Sequence, residues 1–207
     1  MNTRWARLTG GSSGPDYAAR LAALAAQGRH MHGEADLCTT LVAAPARVLD
    51  AGCGTGRIAV RLAELGYDCV GVDVDESMLA VARQASPTIR WVAADLATVT
   101  AEQIDGAGFD LVLGAGNVIP LLAPGTLAAT MAGLTRLLAV DGVLVTGFGL
   151  DAAHLPAGCP VTPLEDYDAA AESAGLLLTE RFATWDRQPF VSGVGYAVSV
   201  HRCAEPR

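Results

Sequence analysis

Arg47-Val48-Leu49-Asp50-Ala51-Gly52-Cys53-Gly54-Thr55-Gly56-Arg57 is a short apolar strand that runs into a loop with glycine at every second position. Such a loop reverses a strand sharply into a helix while its backbone comes within contact distance of a ligand, and a Cβ obstructs both. The helix expected from Arg57 to Leu65 points its free backbone N–H groups into that loop, which favours a ligand of the nucleotide type. The dinucleotide fingerprint G-x-G-x-x-G shares Gly52 and Gly54, but its third glycine falls on Arg57, too large for close helix-to-strand packing.

Three further segments follow in order. Cys69-Val70-Gly71-Val72-Asp73-Val74-Asp75 is a second apolar strand ending in acid, and a carboxylate there can accept from both hydroxyls of a ribose. Ile89-Arg90-Trp91-Val92-Ala93-Ala94-Asp95-Leu96 is a third, and Phe109-Asp110-Leu111-Val112-Leu113-Gly114-Ala115-Gly116-Asn117 a fourth. In open α/β sheets the ligand lies outside the carboxyl ends of the strands, where each of these acids falls.

The acid followed by G-x-G-x-G resembles motif I of the class I S-adenosylmethionine-dependent methyltransferases, and the later strands resemble that family's succeeding motifs. The resemblance covers about 45 to 202. It implies that Asp50, Ala51, Gly52, Gly54 and Gly56 hold the methionine part of S-adenosylmethionine, and Asp73 the ribose. Asp95 and Leu96 would hold the adenine, with Val74 or Met78 against its face, while Gly114 to Asn117 border the methyl group. It also implies a Rossmann-like, doubly wound, mostly parallel seven-stranded sheet with an antiparallel C-terminal edge hairpin.

The coarse pattern agrees. After the strand at 47–51, helix 57–65, strand 68–73, helix 76–85, strand 89–94, a poor helix near 100–105 and strand 109–114 alternate as βα units. Pro124 suits the first turn of a helix running to Leu138, and Asp141-Gly142 a turn before strand 143–148. A helix at 163–174 precedes strands at 177–185 and 195–202. Residues 1–44 read as a helical cap on a single unit of 45–207. Trp5 to Gly14 is expected to be turn-rich, with Gly10 to Pro15 too glycine-rich for regular structure; helices follow from Asp16 to Gln27 and from Glu34 to Val42.

Composition narrows the function. The net charge is −8 and all basic residues are arginine, so a nucleic acid or an anionic membrane is disfavoured and lysine Schiff-base chemistry is excluded. Cys38, Cys53, Cys69, Cys159 and Cys203 contain no C-x-x-C pair, so neither a disulfide framework nor a zinc site is indicated, and no metal is expected. Without a long apolar run or an export signal, the chain reads as a soluble cytoplasmic protein. Gly114-Ala115-Gly116-Asn117-Val118-Ile119-Pro120 departs from the Asn/Asp-Pro-Pro-Tyr/Phe signature of adenine and glutamine amino methyltransferases, which points to a small-molecule methyl acceptor.

For an acceptor that loses a proton, the candidate bases are His30, His32, Asp151, His154 and Asp186; His32, in the turn of the cap, is singled out, and His201 is read as structural. Trp185 and Arg187 are candidate acceptor contacts, and Trp5 and Tyr17 are cap-core or cofactor contacts. The alternatives are an NAD-dependent oxidoreductase with a degenerate loop and a non-catalytic cofactor-binding member of the fold.

Overall fold

The computed structural model describes residues 3–11 and 13–204. Helices α1 (Arg4–Thr9), α2 (Gly14–Ala26) and α3 (Gly33–Leu41) precede β1 (Arg47–Ala51), α4 (Arg57–Glu64), β2 (Asp68–Asp73), α5 (Glu76–Ala85) and β3 (Arg90–Ala93). A 3-10 turn at Ala101–Ile104 leads to β4 (Phe109–Gly114), α6 (Val118–Leu121), α7 (Leu127–Leu137) and β5 (Leu138–Gly149). A second 3-10 turn (Ala152–His154), α8 (Leu164–Ser173), β6 (Leu176–Phe182) and β7 (Tyr196–Cys203) complete the chain.

The seven strands form one sheet in the order β3-β2-β1-β4-β5-β7-β6. The first five in sequence pair in parallel, while β7 runs antiparallel between β5 and the edge strand β6. Strand alternation splits the core into two layers. Val48, Leu111, Leu113, Val143 and Val145 pack with α3 and α4, whereas Leu49, Val112, Leu144 and Phe148 pack with α7 and α8. Ala35, Leu37 and Cys38 of α3 are fully buried in the first layer, so that part of the cap is continuous with the core. Strand order reverses between β1 and β4, and the crevice at their carboxyl ends is where such sheets place ligands. Among the described residues no helix is long and apolar enough to cross a membrane.

Five local expectations are corrected. The stretch after Thr3 is helical, because the Thr3 hydroxyl accepts from Ala6 N–H and Gly10, at φ 67°, closes the helix in the left-handed region. Helix α2 starts at Gly14, with Pro15 in its first turn, and not at Asp16; Ser12 lies outside the described residues. Pro124 lies before α7, cut off from it by Gly125 at φ 77°, and Pro120 sits instead within α6. Asp141, at φ 65°, is a kink inside β5, where the pairing with β4 slips between Phe109 and Leu111. Strand β6 ends at Phe182, leaving Trp185 in the following turn.

Candidate active site

The cavity opens at the switch point. Asp50 and Asp73 fall on the same face of adjacent strands as Val48 and Cys69, facing the N-termini of the helices beyond. Asp50 is 1 % exposed, and its Oδ2 accepts from Ala59 N–H of α4 at 3.2 Å. Burial pushes its carboxyl up to about 7, against the pull of Ala59 N–H and Arg57. Asp73 uses Oδ2 to accept from Gly54 N–H and Oδ1 to accept from Asp75 N–H, each at 2.8 Å. Its pKa is also raised, by burial, with those two N–H groups opposing. Each Asp73 oxygen keeps a further acceptor site free for a ligand hydroxyl. Asp95, at the end of the third strand, accepts from Ala97 N–H at 2.9 Å through Oδ1.

The cavity is lined by Asp50, Gly52, Gly54, Asp73, Asp95 and Leu96, with Val74 and Met78 beside them. Its free space, open mouth included, is about 910 Å³, ample for a nucleoside-sized ligand. A Cβ added to Gly54 (φ 55°) or to Gly116 (φ 70°) meets nothing within 4 Å, so at both positions glycine leaves room beside the cavity that a side chain would occupy. Those features fit a cofactor with a ribose and a base.

Three of the residues expected at the cofactor do not line the cavity, and one borders it only through neighbours. Ala51 is fully buried with the α7 layer, as strand alternation requires. Gly56 (φ 80°) caps α4 without a side chain because an added Cβ would come 2.5 Å from the Trp91 ring. Gly114 lies behind Ala115 and Gly116, which do line it. Asn117, at φ 69°, turns its side chain away from the cavity: Oδ1 accepts from Gly149 N–H at 2.7 Å and Nδ2 donates to the His154 carbonyl at 3.0 Å. His32 caps α3 edge-on to His30 and is not part of the lining; among the described residues its Nδ1 has no hydrogen-bond partner.

The cap supplies what sequence reasoning placed least well. Thr3, Trp5, Tyr17 and Leu21 line the cavity from α1, its cap and α2. Trp5 Nε1 donates to Asp75 Oδ2 at 2.8 Å, and Gly14 N–H donates to Ser77 Oγ at 3.0 Å. Gly14 has to be glycine, since a Cβ would come within 2.1 Å of the Ser77 carbonyl. Burial raises the Asp75 pKa, but donation from Ser77 and Trp5 outweighs it and the net direction is down. Arg57 forms a bidentate pair with Glu34 of α3, at 2.6 and 3.0 Å, and also bonds the Met31 carbonyl. Burial works against its charge, yet Glu34 leaves the Arg57 pKa raised. The position a dinucleotide fold reserves for its third glycine is thus a clamp between α4 and the cap. An Arg57 to Glu34 link across an unpatterned stretch had no signal in the sequence.

The family model for a methyltransferase domain matches residues 48–142. A solved TehB-like SAM-dependent methyltransferase from Corynebacterium glutamicum is 37% identical, with a TM-score of 0.82 over 92% of this chain and 97% of that one. The CcbJ methyltransferase from Streptomyces caelestis, 24% identical, matches in fold with a TM-score of 0.72 over 84% of this chain and 90% of that one. A protein of Geobacillus sp. (strain WCH70), provisionally named a methyltransferase, is 37% identical over 101 residues, which span 48% of this chain and only 40% of that relative. With near-complete coverage of the Corynebacterium structure and the acids in place at three strand ends, the chain belongs to the class I S-adenosylmethionine-dependent methyltransferase family.

Proposed function

We propose that this protein transfers the methyl group of S-adenosylmethionine to a small-molecule acceptor with an oxygen, nitrogen or carbon nucleophile. The observation that carries the reading is the set of acids Asp50, Asp73 and Asp95 on one cavity, roofed by Trp5 and Tyr17 of the cap. Asp73 is assigned the ribose hydroxyls, Asp95 and Leu96 the adenine, and Val74 and Met78 its faces. Asp50 and the Gly52 to Gly56 loop are assigned the methionine part, with Ala115 and Gly116 beside the methyl group.

The bound cofactor supplies an activated methyl group that already carries its leaving group. The protein's work is therefore position: holding an acceptor in line at about 3 to 3.5 Å and keeping water out contributes most of the acceleration. The ion pair of Arg57 with Glu34 and the bond from Trp5 to Asp75 hold the cap down for that purpose. The acidic balance and the absence of lysine support a small molecule over a nucleic acid as the acceptor.

Thermal unfolding with S-adenosylhomocysteine and, separately, with NAD tests the cofactor. Ligand at about 100 times its Kd stabilises the native state by roughly 2.7 kcal/mol. A shift with S-adenosylhomocysteine alone is expected, followed by release of that product from S-adenosylmethionine when hydroxyl, amine and carbon acids are screened as acceptors. A shift with NAD alone overturns the reading. Cofactor binding with no product from any acceptor class favours a non-catalytic sensor of the same fold.

A further inference from the structure

At the carboxyl end of β5, outside the cavity lining, Asp151 and His154 form a pair, with His154 Nδ1 2.7 Å from Asp151 Oδ1. That oxygen also accepts from the backbone N–H groups of Ala153 and His154, which fixes the carboxylate at the start of the 3-10 turn. The bond from His154 is the main cause holding the Asp151 carboxyl below its usual range. An ionised carboxylate only accepts, so Nδ1 carries a proton, and in the neutral form of the ring the lone pair lies at Nε2. Among the described residues no hydrogen bond is made to that atom.

The pair is built into the edge of the site. By alternation with Val143 and Val145, Gly149 faces the layer that carries the cap. A Cβ on Gly149 would lie 2.6 Å from the His154 carbonyl, and one on Gly195 would lie 2.2 Å from His154 Nδ1, so glycine at both positions is what admits the pair. Asn117, the neighbour of cavity-lining Gly116, bonds both Gly149 and the His154 carbonyl. The other histidines are elsewhere: His30 pairs with Asp36 on an exposed turn, His32 caps α3, and His201 is buried against Tyr167 in the opposite layer.

Resting on the methyl-transfer reading above, we infer that His154, oriented by Asp151, is the general base for a hydroxyl acceptor seated between its Nε2 and the methyl group. The acceptor's O–H bond breaks and the proton goes to Nε2, leaving the electron pair on oxygen. That oxygen forms the new bond to the methyl carbon, while sulfur keeps the pair of the bond that breaks. A hydroxyl gains most from such a base, because its oxygen is a weak nucleophile while protonated; a neutral amine already offers its lone pair.

No acceptor is needed to test this. With S-adenosylmethionine labelled with carbon-13 in its methyl group, nuclear Overhauser contacts from the bound methyl protons are recorded. A cross-peak to the His154 ring protons is expected, assigned by its loss in His154→Asn. In Asp151→Asn, where asparagine still caps the turn, that cross-peak weakens while the methyl keeps its contacts with other cavity side chains. A bound methyl that contacts those side chains in the wild-type protein but never His154 overturns the inference and leaves the cofactor reading intact. A labelled methyl that does not bind at all removes both.

Discussion

The two halves of the sheet's carboxyl edge are built differently. On the β1, β2 and β3 side, the acids Asp50, Asp73 and Asp95 spend their oxygens on backbone N–H groups of Ala59, Gly54, Asp75 and Ala97, all within about twenty residues along the chain. On the β4, β5 and β7 side, the ties are side chains reaching across the chain, as from Asn117 to Gly149 and His154. A backbone cradle of the first kind serves any chain that binds the same cofactor. The second kind is free to differ with the acceptor, because it depends on loops whose ends alone are fixed by the sheet.

The largest effect expected of that contrast is on the cradle. Asp73→Ala strips the acceptors from Gly54 and Asp75 N–H and, on the assignment proposed above, the contact with the ribose, so affinity for S-adenosylhomocysteine should fall by about a hundredfold or more, read by calorimetry. Equal affinity in a folded variant would break the assignment of the ribose to this half.

Asp50→Asn should show the opposite signs for stability and binding. The folded carboxyl titrates at about 7 because it is buried, against an ordinary value of 3.8 in the unfolded chain. Stability from this group is fully present below pH 3.8 and is lost as pH rises through about 7, since the folded state then has to bury a charge. The cofactor-free Asn variant should therefore be the more stable protein at pH 8, and its unfolding free energy should lose that decline. Its affinity for S-adenosylhomocysteine, whose ammonium the carboxylate would face, should drop by about tenfold. Denaturant melts across pH 4 to 8 give the first result and calorimetry the second.

Legibility followed the same divide. The strands at 47–51, 68–73 and 109–114 and their acids were readable because apolar runs, glycine spacing and strand-end carboxylates are local signals. The role of Asn117 was not, since its left-handed φ of 69° turns the side chain toward Gly149 and His154, partners 32 and 37 residues away. Helix α1 was missed for a local reason of its own: six residues are too few to show a period, and its start and stop rest on the Thr3 cap and Gly10. Arg57 was legible as an obstacle to one fold family, but not as the partner of Glu34, because nothing in 29–34 marks which side chain turns inward.

On the acceptor side, Asn117 allows backbone and side-chain effects to be separated. Asn117→Gly keeps the left-handed conformation without strain and loses both bonds, for a cost of about 1 to 2 kcal/mol in chemical denaturation. Asn117→Ala should cost about 1 kcal/mol more, because alanine is strained there. In neither variant should affinity for S-adenosylhomocysteine fall as far as in Asp73→Ala. A comparable loss would mean that the two halves of the edge are not independent.

The smallest effect sharpens the comparison most, because Trp5 belongs to the roof over both halves. Trp5→Phe keeps an aromatic ring in the cavity wall and deletes one bond to Asp75 Oδ2, a buried and charged carboxylate. Asp75 keeps its bonds from Ser77, so the carboxylate is not left bare, and the expected loss is about 1 kcal/mol. That loss should be confined to α1, where amide hydrogen exchange speeds up while the buried strands β1 and β4 exchange as before. If β1 slows or speeds with α1, the roof is not a separately opening element but part of one cooperative unit with the cradle, and the cap then contributes to cofactor affinity through the fold as a whole.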